Sequence, residues 1–298
     1  MLRLGSMQDK SPQPSQPLFA LPAHRVLQLS GPDAAKFAQA QFMSDVAGLA
    51  DGQWHWSGWL TPKGRVVALF ALLRLEEGLF WLLLPDADAG ALAEQLRRFV
   101  FRSKLKIEPL ADARVHGRLG PAEQAGGNRL ARLADGGVEL DMGGDGGRRA
   151  LYVALDPGSS PGPNADAAAA WTLADLQHGL PRLAWGTPQW TPQQLSLERL
   201  DAFTVRKGCY PGQEIVARTH FLGKAKRRLV LLEGGAALSI GDPVSADDAP
   251  AGELVSSVPV PGGGRTALAV VQATDAAPGY AVRGSPVRTG ELLGGLAR

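Results

Sequence analysis

The chain has 298 residues, 45% of them hydrophobic and 20% charged, with a formal net charge of +2 at pH 7. So small a charge supplies no overall positive field to collect phosphates, which excludes a general nucleic-acid binder and leaves only a local basic patch. A single cysteine excludes an internal disulfide framework and fits a reducing compartment, and the length allows one large core or two to three small ones.

Residues 1–17 are polar and rich in Ser, Gln and Pro, with no apolar stretch of the secretory type. They are expected to form a disordered tail. No run reaches the ~18 uninterrupted apolar residues of a membrane span, so the chain is expected to be soluble and cytoplasmic. Residues 25–29 read as a strand, followed by the turn Ser30-Gly31-Pro32-Asp33. Asp33 is a plausible N-cap for a helix from Ala34 to about Phe42. Trp54 and Trp56 stand at strand spacing and, with Trp59, are expected to pack on a sheet face. Residues 66–75 and 79–84, around Glu76-Glu77-Gly78, read as a hairpin.

A helix is predicted from Pro85-Asp86 to about Phe101, because Leu92, Leu96, Phe99 and Val100 recur on one face. The basic run Arg97, Arg98, Arg102, Lys104 and Lys106 reads as solvated surface, with an anionic ligand or RNA contact as the alternative. Strands are predicted over 104–107, 114–119 and 149–155. Gly143-Gly144-Asp145-Gly146-Gly147 is a loop that lacks the following Lys-Ser/Thr of a phosphate cradle. Residues 156–163 read as a flexible loop, and Thr172-Leu173-Ala174-Asp175 as the start of a helix through His178. A strand over 229–233 opens a series of short strands broken by Gly, Pro and Asp, the pattern of a small β-barrel or sandwich.

The chemistry concentrates in Arg206-Lys207-Gly208-Cys209-Tyr210-Pro211-Gly212-Gln213-Glu214. Gly208 and Gly212 allow positive φ and a sharp bend that would present the thiol. Arg206 and Lys207 supply positive charge that favours thiolate, and Gln213 and Glu214 add an amide and a carboxylate. A lone cysteine also suits a small buried apolar position. His24, His55, His116, His178 and His220 show no metal-ligand spacing, so no metal site is expected.

The stretch from Lys207 to Glu214 resembles the K-G-C-Y-x-G-Q-E signature of the YgfZ-type folate-binding proteins. These are relatives of the aminomethyltransferase (T-protein) of the glycine cleavage system, and they include a mitochondrial iron–sulfur assembly factor. The likeness extends to the strand from Val26, to Leu60-Thr61-Pro62-Lys63-Gly64-Arg65, to Gly179-Leu180-Pro181-Arg182-Leu183 and to Thr191-Pro192-Gln193. It implies an α+β fold of three domains in a ring: two α+β domains with antiparallel sheets and a C-terminal β-barrel. The domains would span 18–50 with 110–222 (discontinuous, folate-binding), 51–109, and 223–298.

The resemblance further implies a protein that binds tetrahydrofolate and supports assembly or repair of iron–sulfur clusters, and through it tRNA modification. Its partners would be iron–sulfur enzymes or assembly proteins, with no direct nucleic-acid contact and no membrane. Cys209 and Lys207 would carry the chemistry. Trp171 would stack on the pterin, and His24 stands where the family carries an N-terminal aromatic. Arg206, Gln213 and Glu214, with the basic residues 224–228, complete the expected cofactor contacts. A true aminomethyltransferase needs a carboxylate after the turn of Lys63-Gly64, but Arg65-Val66-Val67-Ala68 contains none. A non-enzymatic folate-sensing adaptor is the remaining alternative.

Overall fold

The structure is a computed structural model that describes residues 16–155, 161–183, 185–223, 225–235, 238–274 and 278–298. Most of the expected N-terminal tail (1–15), part of the predicted loop (156–160) and Lys224 lie outside the described residues. In chain order the first elements are β1 (Phe19–Ala20), β2 (Arg25–Ser30), α1 (Ala34–Gln41), β3 (Gln53–Leu60), β4 (Val66–Glu76), β5 (Leu79–Leu84), α2 (Ala89–Arg97) and β6 (Lys106–Pro109). Then come β7 (Arg114–Arg118), β8 (Ala131–Arg132), β9 (Val138–Asp141), β10 (Ala150–Ala154), α3 (Ala165–Gln177) and α4 (Gln213–Leu222). The last are β11 (Arg227–Gly234), β12 (Pro243–Ala246), β13 (Ala249–Pro259), β14 (Arg265–Gln272), β15 (Tyr280–Val282), β16 (Ser285–Pro286) and β17 (Arg288–Gly290). No helix among the described residues is long and apolar enough to cross a membrane.

Three antiparallel sheets result, ordered β3-β4-β5-β2-β6, β1-β7-β10-β9-β8 and β16-β15-β12-β13-β14-β11-β17. The first explains the nearly continuous apolar run of the β4–β5 hairpin. Side chains alternate across a strand, and here both faces are covered. Leu27, Leu29, Phe70, Leu72, Phe80 and Leu82 pack under α1 and α2. Trp54, Trp56, Ala71, Leu73, Trp81 and Leu83 face the opposite way into a central core. That core also takes Leu140 and Leu151 from the second sheet, Trp171 from α3, and Leu231 and Leu268 from the third. Trp59, an odd number of residues after Trp56, falls on the helix-covered face instead.

Several expectations meet a different arrangement. Residues 25–30 were expected to group with 110–222, but β2 lies between β5 and β6, paired with both. Its Leu27 and Leu29 complete the face beneath the helices. Only β1 of that segment pairs with β7. Asp33 takes the N-cap position of α1 as expected, but its side chain makes no cap hydrogen bond; its carboxylate accepts from Lys104 N at 2.6 Å and pins the chain before β6. Helix α2 starts later than predicted. Asp88 caps it by accepting from Ala91 N at 2.8 Å, because Asp86 is drawn away into an ion pair with Arg182. Helix α3 starts earlier, capped by Asn164, so Thr172 is mid-helix and its hydroxyl donates to Ala168 O.

Candidate functional site: the thiol turn and a buried charge network

Cys209 is free and exposed, on a turn tied down on both sides. Before it, Lys207 Nζ donates to Phe42 O and Ser44 O, both at 2.7 Å. After it, Tyr210 is buried and its hydroxyl donates to Thr204 O at 3.0 Å. Gln213 closes the loop, its Nε2 donating to Lys207 O at 3.1 Å. Arg206 and Glu214 are exposed. The expected role of Lys207 beside the thiol is therefore altered: its ammonium is directed at the carbonyls that follow α1, and it tethers the turn to the first sheet. Burial holds its pKa down at about 8, opposed by the charge of Asp45.

Behind the tether lies a small polar cluster. Ser44 Oγ donates to Ser57 Oγ at 2.6 Å and lies 2.9 Å from His55 Nε2. Burial lowers the His55 pKa to about 4, so the ring is neutral at pH 7. The two bracketing glycines also differ. Gly212 has φ 79° and stands directly before α4, whereas Gly208 is not in the left-handed region and has open space around it.

Gly212 brings the two signature turns into contact. In the other turn, Gly64 has φ 69°, Gly64 N donates to Thr61 O at 2.9 Å, and Thr61 N donates to Arg65 O at 2.8 Å. A Cβ at Gly212 would lie 2.5 Å from Thr61 O and 2.6 Å from Gly64 Cα. A Cβ at Gly64 would lie 2.9 Å from Ile215 Cβ. Neither position tolerates a side chain, because the opposing atoms are largely backbone or a packed branch point. After Gly64, the Arg65 guanidinium donates to Gln189 O and Gln194 Oε1. The residues that follow this turn, Arg65-Val66-Val67-Ala68, include no carboxylate.

Trp171 and His24 belong to a second neighbourhood, which the sequence reading missed. Arg149 Nη1 donates to Asp175 Oδ1 at 2.7 Å and to Trp171 O at 3.1 Å. Asp175 Oδ2 accepts from Arg182 Nη1 at 3.4 Å, and Arg182 Nε donates to both Asp86 oxygens at 2.8 Å. The Arg182 backbone exchanges hydrogen bonds with Ser256 Oγ in β13. One network thus joins the start of α2, α3 and the third sheet. Its signal in the sequence was a lone charge inside an apolar run: Arg149 heads the strand Ala150–Ala154 and Asp175 lies amid Leu173, Ala174 and Leu176. Charges so placed are buried only when paired.

The expected stacking face of Trp171 is not open. The side chain is fully buried, Arg149 lies 4.6 Å from its ring centroid, and the edge of Phe19 stands at 6.2 Å. His24 is buried at the wall of a cavity of about 360 Å³ whose lining includes Arg25, Arg114 and His116. Burial pushes the His24 pKa well below its ordinary value, helped by Arg182, Arg25 and Arg149, so the imidazole is neutral. Among the described residues, Trp171 Nε1, Arg149 Nε and Nη2, and His24 Nδ1 are buried polar atoms without a hydrogen-bond partner. The sequence-predicted residues therefore fall into two groups, with Arg206, Lys207, Cys209, Gln213 and Glu214 on the thiol turn, and Trp171 and His24 around Arg149.

No protein-family model matches the chain. A tRNA-modifying protein YgfZ of Cronobacter sakazakii is 30% identical over 234 residues, covering 73% of this chain and 71% of that one. A protein of the same name from Colwellia psychrerythraea is 25% identical over 262 residues, covering 79% and 76%. Among solved structures, the glycine cleavage system aminomethyltransferase T of Bartonella henselae superposes with a TM-score of 0.68 over 91% of this chain and 83% of that one. Its sequence identity is 16%, so it establishes the fold: α+β of the aminomethyltransferase type, with antiparallel sheets and a barrel-like third sheet. With both signature turns in contact and that identity to a YgfZ protein over most of both chains, this chain belongs to the YgfZ family.

Proposed function

We propose that this chain binds tetrahydrofolate and supports the assembly or repair of iron–sulfur clusters, and through it tRNA modification. The observation that carries the reading is the exposed Cys209 thiol on a turn anchored by Lys207, Tyr210 and Gln213. An anchored turn presents sulfur to a partner at little ordering cost, and thiolate is the soft donor that iron–sulfur centres use. A free, exposed thiol suits a reducing, cytoplasmic setting.

The folate side rests on the cavity at His24. Its volume of about 360 Å³ lies within the range of small-molecule sites. Exposed Arg25 and Arg114 at its rim would hold the carboxylates of the glutamate tail. Arg149, whose charge acts on His24, carries buried donors without a partner among the described residues, and a pterin ring acceptor reaching past His24 would satisfy them. When bound, tetrahydrofolate supplies a reduced pterin that carries one-carbon units. The lack of any acid in Arg65-Val66-Val67-Ala68 speaks against an aminomethyltransferase, which needs a carboxylate after that turn.

The test is calorimetric titration with tetrahydrofolate of the wild type, Cys209→Ala and Arg25→Gln/Arg114→Gln. Saturable binding that survives Cys209→Ala and weakens in the double arginine variant is expected. A wild type that binds nothing would sink the folate reading. In cells lacking the protein, Cys209→Ala should fail to restore methylthiolated nucleosides in tRNA. Full restoration would favour the adaptor reading, with Cys209 merely structural.

A further inference from the structure

Segment 97–106 carries five cations and two aromatics that neither the thiol turn nor the His24 cavity employs. Helix α2 ends at Arg97, and the chain turns through Val100 to Ser103, closed by Ser103 N donating to Val100 O at 2.8 Å. It then runs into β6, an edge strand of the first sheet. Phe101 stands in this turn with φ 44°, a left-handed backbone that a residue with a β-carbon adopts only with strain. Its ring is 88% exposed. Water contact does nothing for a phenyl ring, so neither the strain nor the exposure stabilises the folded chain. Phe99, by contrast, is fixed against the edge of Trp59.

The charges around Phe101 are equally uncommitted. Arg97 is occupied, donating to Ile107 O. Arg98, Arg102, Lys104 and Lys106 are exposed, and their side chains make no ion pair or hydrogen bond among the described residues. No acidic residue occurs between Glu94 and Glu108. Lys104 and Lys106 are two residues apart entering an edge strand, about 6.6 Å along an extended chain, a step comparable to that between phosphates of an extended nucleic-acid strand.

We infer that this turn is a binding platform for an unpaired nucleic-acid strand: a base stacks on Phe101 while Arg98, Arg102, Lys104 and Lys106 meet the flanking phosphates. The chemistry is that of aromatic platforms set in cationic tracks. Phe101 and the 38% exposed Phe99, set among exposed cations, do not make the dry centre of a protein interface, and two rings at a turn lack the apolar face of a membrane-lying helix. The chain's net charge of +2 is no obstacle, because the field that matters is local and falls off within about 10 Å at 0.1 M salt. The inference stands independently of the thiol and folate reading.

The experiment is fluorescence anisotropy with a labelled mixed-sequence 12-nucleotide RNA (about three quarters of the largest single-fold site), the same sequence as DNA, and the corresponding RNA duplex. Sedimentation with phosphatidylserine vesicles forms a parallel arm. Single strands should bind at least tenfold more tightly than duplex, and the RNA and DNA arms show which strand is preferred. Phe101→Ala should weaken binding roughly five- to hundredfold. Arg98→Gln and Lys104→Gln should each lower the slope of log affinity against log salt by about 0.7. Absence of strand binding, equal affinity for duplex, indifference to Phe101→Ala, or binding to vesicles in place of strands would each overturn the inference.

Discussion

Gly212→Ala places a methyl group where the two signature turns touch. The backbone there has φ 79° and ψ 0°, so a β-carbon costs about 1–2 kcal/mol from conformation alone. The new carbon would lie 2.5 Å from Thr61 O, 2.6 Å from Gly64 Cα and 2.8 Å from Gly64 N. These are backbone atoms, so relief requires the turns to part, at about 1–3 kcal/mol more. The total, about 2–5 kcal/mol, should be read by urea denaturation followed through tryptophan fluorescence. Gly208→Ala is the internal comparison. It lies four residues away on the same turn, with nothing within 4 Å of its new Cβ and no positive φ, and should stay within about 0.5 kcal/mol of the wild type. If Gly212→Ala were as stable as the wild type, or Gly208→Ala as unstable as Gly212→Ala, the docking of the turns would not be what demands glycine.

Three further outcomes follow from the same geometry. Arg149→Met leaves Asp175 buried with only the longer contact to Arg182, and should cost about 3–5 kcal/mol; in a double-mutant cycle with Asp175→Leu the two losses should be clearly less than additive. Burial lowers the pKa of His24, His55, His116 and His178, in every case as the largest cause. The folded chain therefore binds fewer protons than the unfolded one below the ordinary histidine value of 6.5, and stability, complete above that pH, should fall as the pH drops. His55, shifted from 6.5 to about 4, sets a ceiling of about 3 kcal/mol for its own share at pH 4; a flat stability profile between pH 6.5 and 5 would contradict this. Cys209→Ser, at an exposed position, should abolish maleimide labelling and change stability by no more than about 0.5 kcal/mol, and a large loss of stability would mean that the thiol is structural.

Much of the fold was legible because its signals are local. The β4–β5 hairpin follows from two apolar runs around Glu76-Glu77-Gly78, and β2 from its short apolar stretch. The bend at the thiol was legible for the same reason, since Gly and Pro favour a sharp turn there; that Cys209 is exposed while the adjacent Tyr210 is buried was decided by packing. What misled the reading was competition for polar groups from far along the chain. Asp33 does stand before α1, but its carboxylate, like that of Asp86 ahead of α2, is taken by a partner distant in sequence, Lys104 N and Arg182 respectively. Thr172 resembles a cap, yet Asn164 starts α3 two turns earlier. No local rule foretells such captures, because the competing partner arrives only when the sheets come together.

The sequence by itself determined the strands of the hairpins, the glycines of the two signature turns and the presence of one thiol on a bend. These depend on backbone preferences and on the alternation of side chains over a few residues. The tertiary structure decided that Gly212 rests on Gly64, that Lys207 points at Phe42 O and Ser44 O, and that Trp171 is sealed beneath Arg149 and Phe19. It also decided that Arg149, Asp175, Arg182 and Asp86 form one network. Apart from Asp175 and Arg182, seven residues apart, these contacts join residues separated by tens to more than a hundred positions. The direction of a long side chain is set by whichever buried partner satisfies its charge, and that partner exists only once the three sheets share a core.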